Sequence, residues 1–263
     1  MFSALCKIQI DEDSNREETF TFIRCKSTDG ATEHYFLHLM NVFLAAVGPS
    51  PSTNRVAEGV LLIAGMFQKI ASPPKNTVIG LIGELVAIKM ARSRLAAICA
   101  WRQDPDERYD FAVGQLRVDA KATTTRSRKH LFSHSQTDIP VDCVGVVASS
   151  FVELIPGGTQ LCDYLGEIER DLNGNFDALF KLQTVVVNTL GRDLPIALTA
   201  RFDRERAHSS LAFFDLNAIP AIRGPLPPGV SEVKFSSDLS RTRPVSNNSA
   251  LGLSSTEEDF FPP

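Results

Sequence analysis

The chain has 263 residues, 43% of them hydrophobic and 22% charged, which allows one large or two small domains with ample apolar material for a core. A net charge of −4 excludes a general polyanion-binding protein, so any nucleic-acid contact must come from a local basic patch. Five scattered cysteines without CxxC spacing (Cys6, Cys25, Cys99, Cys143, Cys162) argue for reduced thiols rather than a zinc site or a disulfide framework. The absence of a membrane-length apolar run or a signal-peptide layout makes the cytoplasm the expected location.

Two strands are expected first, Phe2 to Ile10 and Thr19 to Cys25, joined by the polar turn DEDSNREE. Thr28-Asp29-Gly30 marks another turn, and Thr32 is a candidate helix N-cap. Glu33 to Val47 carries Phe36, Leu39, Met40, Phe43 and Leu44 at helical spacing. GPSPS breaks the pattern, and Arg55 to Ile70 reads as a second helix. His34 and His38, four apart, have the spacing of metal ligands, but no further ligand lies nearby in the sequence, so solvated or core histidines are the expectation. This first part reads as an α/β accessory region, 1–75.

After Ser72-Pro73-Pro74 a helix is expected over Ile79 to Cys99. Its Glu84 has Ala87, Ile88 and Ala91 as helical neighbours, which places the carboxylate on a buried face where it needs a partner. Two partners stand open: a metal or its water, or a salt bridge to Lys89, Arg92 or a neighbouring element. The polar run Arg102 to Arg108 reads as loop. Tyr109 to Val113 and Leu116 to Ala122 follow as strands around Gly114-Gln115, a pair suited to a two-residue type II′ turn. That register puts Asp110 opposite Asp119, and Lys121, two residues on, shares the face of Asp119. Two opposed carboxylates repel unless a cation sits between them or one is protonated. Mg²⁺, which takes one or two carboxylates plus phosphate oxygens, would resolve the conflict. The bland alternative is a surface ion-pair cluster in an unrelated binding domain.

Next comes ATTTRSRKHLFSHSQ, where Arg126, Arg128, Lys129, His130 and His134 are interleaved with hydroxyls as in phosphate-contacting segments, although such runs also form plain solvated faces. Asp142 to Leu154 reads as a buried central strand. Pro156-Gly157-Gly158 is a turn, and Thr159 to Leu172 and Phe176 to Thr189 are helices. Ile196 to Asp203 and Ser209 to Leu216 read as paired strands about a charged turn. Ile219 to Gly229 is a loop and Val230 to Phe235 a last short strand. The stretch from Ser246, without periodicity, reads as disordered tail.

An acid on one strand followed by Asp119-Ala120-Lys121 on the next resembles the PD-(D/E)XK nuclease motif. GLIGEL, Trp101, YDF, VDAKAT, FSHSQ and PPGVSEV…DLS together resemble the bacterial PD-(D/E)XK motif proteins, over roughly Phe36 to Ser240. Two departures stand out: Tyr109 replaces the proline, with Pro105-Asp106 upstream as a literal alternative to Asp110, and the second acid is aspartate. The resemblance implies an α/β (α+β) fold. Its restriction-endonuclease-like α-β-β-β-α-β core over 76–155 has a mixed central sheet flanked by helices. A helical and β extension over 156–240 and a tail over 241–263 would follow.

The resemblance also implies a Mg²⁺-dependent (or Mn²⁺-dependent) DNA endonuclease of a restriction or anti-phage system, encoded near methyltransferases and ATPases. In that reading Asp110, Asp119, the Ala120 carbonyl and Glu84 hold metal. Lys121 activates water, Arg126, Arg128 and Lys129 grip the DNA backbone, and Gln136 orients the site or contacts DNA. Cutting both strands would need a homodimer or a partner. The alternative is a catalytically silent DNA-binding or scaffolding subunit of a defence complex.

Overall fold

The computed structural model describes residues 2–9, 15–27, 29–245 and 251–262. The chain divides into two compact units, Met1–Gly65 and Met66–Pro263. In the first, β1 (Phe2–Gln9) and β2 (Asn15–Phe22) form an antiparallel hairpin, and α1 (Gly30–Val47) follows. The cap of α1 is Asp29 rather than Thr32: the aspartate accepts hydrogen bonds from both the amide and the hydroxyl of Thr32. His34 Nδ1 lies 2.7 Å from the Gly30 carbonyl oxygen, and no group of three metal-ligating side chains gathers among the described residues. The helix α2 (Thr53–Ile70) continues into the second unit.

The second unit is built on α3 (Val78–Met90), started by the Thr77 side chain and buried continuously from Leu81 to Ile88. The single helix expected to Cys99 is two. The chain breaks after Met90, and Ser93 caps α4 (Arg94–Ala100) by accepting from the Ala96 amide. The amides of Arg92 and Ser93, exposed by the break, donate to the carbonyls of Phe261 and Asp259.

The hairpin follows as β3 (Phe111–Val113) and β4 (Leu116–Thr123), with Val113 opposite Leu116. Positive φ falls at Gly114 (+51°) and not at Gln115, as a type II′ turn requires. Next come β5 (Lys129–Ser133), the one-turn helix α5 (His134–Thr137) and β6 (Val144–Phe151). Strand β6 pairs parallel with β4, placing Lys121 beside Ser149.

Two further elements, β7 (Leu154–Gln160) and α6 (Leu161–Asp171), lead to α7 (Phe176–Leu190). The turn expected at Pro156-Gly157-Gly158 is an irregularity within β7, where a Cβ at Gly158 would lie 2.3 Å from the Phe202 carbonyl oxygen.

Beyond α7 the expected pair of long strands is replaced. Ile196 lies in α8 (Leu194–Leu198), β8 is only Arg201–Phe202, and the charged turn is the helix α9 (Arg204–Ser210), capped by Asp203. Only β9 (Ala212–Asp215) survives of the second strand. The two do not pair: β8 joins β7, and β9 runs antiparallel to β6. The last strand, β10 (Lys234–Asp238), starts later than expected and pairs with β5.

The result is a four-stranded mixed sheet in the order β3-β4-β6-β9 with helices against it, a restriction-endonuclease-like α/β arrangement. Helix α3 lies on the β4 face that carries Ala122, so closely that a Cβ at Gly83 would sit 2.7 Å from the Ala122 Cβ. The opposite face meets Phe132, Val147, Phe214, Leu216, Ile219 and Leu239 in the core. The end of the chain, expected to be disordered, packs over 251–262. It forms α10 (Ser255–Glu258) and buries Phe260 against Phe111 and Phe261 against Phe213. Glu257 accepts from the Gln115 amide at 2.6 Å and so holds the hairpin turn. Aperiodic sequence hid this segment because it is anchored by two aromatics and one carboxylate rather than by an amphipathic face. Among the described residues no helix is long and apolar enough to cross a membrane.

Candidate active site

The first-strand β3 stops at Phe111, so the edge of β4 beyond Val118 is unpaired on that side. Asp110 fills the place. Its Oδ2 accepts from the Ala120 amide at 2.7 Å, a side chain standing in for the next rung of the ladder. In a strand the N–H and C=O of one residue point to the same edge, so the Ala120 carbonyl also faces Asp110. Side chains alternate about this edge: Asp119 and Lys121 project from one face, Ala120 and Ala122 from the other.

Asp119 is 2% exposed. Its Oδ1 accepts from Gln136 Nε2 at 3.1 Å. Its Oδ2 is paired with Lys121 Nζ at 3.0 Å and has no other hydrogen-bond donor. Burial pushes the Asp119 carboxyl well above the usual carboxylate range; the Lys121 ammonium opposes that rise and the Asp110 charge adds to it. Lys121 is held over the Phe132 ring, 5.1 Å from its centroid. Gln136 is fixed in turn by α5: its Oε1 accepts from the Ser133 amide in a capping box, and the Tyr109 hydroxyl donates to its carbonyl.

Glu84 arrives from the α3 side, 2% exposed. Its Oε2 accepts from Trp101 Nε1 at 2.7 Å and its Oε1 from Arg102 Nη2 at 2.6 Å. Arg102 Nε donates to Asp110 Oδ1 at 2.7 Å, so one guanidinium joins the two carboxylates. Burial, and then the Asp110 charge, raise the Glu84 pKa against the pull of Arg102 and Trp101. Of the two readings of Glu84, the contact present is a salt bridge to a neighbouring element, though to neither Lys89 nor Arg92. Lys89 pairs with Asp171 and Glu167 instead.

Asp106, the literal Pro-Asp alternative, lies on a surface loop paired with Lys75, whereas Asp110 sits beside Asp119. Arg126 and Lys129 are exposed. Arg128, expected to grip the DNA backbone, is turned inward and only partly exposed. Its guanidinium donates to the Ser149 carbonyl and hydroxyl and to the Ser210 carbonyl, and it packs between the rings of Phe151 and Phe214. His130 is buried with its Nε2 2.8 Å from Ser149 Oγ, and burial, with the Lys121 and Arg128 charges, lowers its pKa to about 4. Gln136 directs its Nε2 at Asp119.

A family model described as "Putative PD-(D/E)XK family member, (DUF4420)" matches residues 4–240. The chain belongs to this family. No curated protein and no solved structure matches it. Membership in the PD-(D/E)XK family points to nuclease chemistry, and the acids and lysine of the motif meet at the open edge of β4. Among the described residues no three of His, Cys, Asp and Glu cluster as a metal cage. A donor set for a divalent ion must therefore draw on main chain as well. Asp119 Oδ2, Asp110 and the Ala120 carbonyl are the oxygens that would make up that set.

Sequence reasoning missed Arg102 and the hydrogen bond of Trp101. Arg102 sits at the start of a polar run that otherwise is loop. The signal that could have found it is Glu84 itself: a carboxylate with apolar helical neighbours needs a cation, and none on its own helix shares its face.

Proposed function

We propose that this protein is a metal-dependent DNA endonuclease that hydrolyses phosphodiester bonds at the open edge of β4. One observation carries the reading: the buried Asp119 carboxylate lies beside Asp110, with its Oδ2 paired to Lys121 Nζ at 3.0 Å and no other donor on that oxygen. Two adjacent carboxylates repel, and a divalent cation between them would relieve that repulsion. Asp110, Asp119 and the Ala120 carbonyl would hold Mg²⁺, with Mn²⁺ able to substitute. Such an ion, when bound, polarises a phosphate oxygen and lowers the pKa of a bound water.

The chain's own residues do the rest. Lys121, aimed by Asp119 and the Phe132 ring, orients the attacking water and offsets the negative charge that grows on the phosphate. Gln136 holds Asp119 in place. Arg126 and Lys129, exposed on the segment that follows Lys121, contact the backbone without reading sequence. The resemblance to defence-associated proteins supports a cytoplasmic restriction or anti-phage role, alongside a methyltransferase or ATPase. Double-strand cutting would come from a homodimer or such a complex.

The test is cleavage of plasmid DNA, modified and unmodified, with Mg²⁺ or Mn²⁺, beside Asp119→Ala and Lys121→Met. Metal-dependent nicking or linearisation lost in both variants is expected, with the circular dichroism spectrum and most metal binding of Lys121→Met kept. Full activity in Lys121→Met refutes the mechanism. No cleavage with any metal assigns the protein to the silent, DNA-holding class.

A further inference from the structure

The Glu84–Arg102–Asp110 bridge bears on how many ions the site takes. Both oxygens of Glu84 accept hydrogen bonds, from Trp101 and from Arg102. Both oxygens of Asp110 do so too, from Arg102 and from the Ala120 amide. The guanidinium that joins them is 2% exposed and is held at both ends, since the Arg102 amide also donates to the Asp110 carbonyl at 2.8 Å. Trp101, which locks the other oxygen of Glu84, forms an isolated bridge with Phe111 and is itself buried. The bridge is therefore built from main chain as well as side chains, and both oxygens of Glu84 already face donors, one of them a guanidinium that also meets Asp110.

Resting on the nuclease reading above, we infer that Arg102 occupies the place a second cation would take. The site then carries one divalent ion, and Glu84 is a positioning residue that anchors Arg102 rather than a ligand. This replaces the expectation that Glu84 binds metal. Charge counting agrees. With a cation bound, which displaces the protons that burial favours on Glu84 and Asp119, the ionised Glu84, Asp110 and Asp119 against Arg102 and Lys121 leave one net negative charge. One divalent ion together with one phosphodiester monoanion brings the site to neutrality. Two divalent ions would leave two positive charges in excess within a buried space, where like charges are poorly screened. A guanidinium also suits this place better than an ion would, because its planar fork matches two carboxylates at once and needs no water ligands.

The experiment counts ions rather than turnover. Mn²⁺ bound per intact chain is measured by electron paramagnetic resonance of free Mn²⁺, for the wild type, Arg102→Lys and Arg102→Met. One ion is expected in the wild type and in Arg102→Lys, which keeps the positive charge. Two are expected in Arg102→Met, where Glu84 and Asp110 are left without a counter-charge. Two ions in the wild type overturn the inference whatever the variants do, while leaving the nuclease reading intact. One ion in a folded Arg102→Met also overturns it. No ion in the wild type, together with no cleavage, removes the nuclease reading and the inference with it.

Discussion

Gly83 controls how α3 delivers Glu84, and its replacement by alanine is a sharp test of that packing. A Cβ there would lie 2.7 Å from the Ala122 Cβ. Carbon atoms prefer about 3.5–4.0 Å, so helix and strand would have to part by about 1 Å. Overpacking of this kind costs about 1–3 kcal/mol, and the better helix propensity of alanine returns about 1 kcal/mol. Gly83→Ala alone should therefore destabilise by about 1 kcal/mol. Ala122→Gly alone loses a half-buried methyl, less than about 0.8 kcal/mol, and adds a glycine within a strand, about 0.5–1 kcal/mol. In the double variant the clash is gone, and the two should be coupled favourably by about 2 kcal/mol.

Urea unfolding followed by fluorescence measures this directly, because Trp101 is the sole tryptophan and its indole is bonded to Glu84. A native emission shift in Gly83→Ala, reversed in the double variant, would report the displacement of Glu84 itself. Additivity of the two substitutions within about 0.5 kcal/mol would refute the close approach of α3 to β4.

Two further expectations concern Arg128 and His130, which both meet the Ser149 hydroxyl. Arg128→Met should lower stability by about 3 kcal/mol, since the Ser149 and Ser210 carbonyls lose a charged donor, yet leave the affinity of folded protein for DNA unchanged within about twofold; urea unfolding and a fluorescence-polarisation titration separate the two, and a large loss of affinity at unchanged stability would contradict the inward placement. His130, with a folded pKa of about 4 against 6.5 unfolded, stays neutral in the fold. The unfolded chain takes up its proton first, so this group costs nothing above pH 6.5 and removes stability as pH falls towards 4, by about 3 kcal/mol in all. His130→Gln should flatten that part of the stability curve relative to the wild type. Parallel curves from pH 7 to 4 would show that the imidazole titrates normally.

The sequence alone determined the hairpin and the orientation of its polar groups. Gly114 at the first turn position sets the register, and the two-residue period of a strand puts Lys121 on the face of Asp119 wherever the hairpin is placed. The burial of Glu84 was legible for the same reason, since its helical neighbours are all apolar. What only tertiary structure decided is what each charge meets. Arg126, Arg128 and Lys129 are alike in sequence, yet Arg128 turns inward because β6 and α9 present the carbonyls of Ser149 and Ser210 beside two aromatic rings. Arg102 is one of several polar residues in a row, and becomes the bridge between Glu84 and Asp110 only because α3 and the open edge of β4 converge there. Phe260 and Phe261 read as tail because nothing local tells them of Phe111 and Phe213, far away in the chain. Periodicity encodes which way a side chain points within its own element. The partner at the other end is set by which elements pack together, and that depends on the whole core at once.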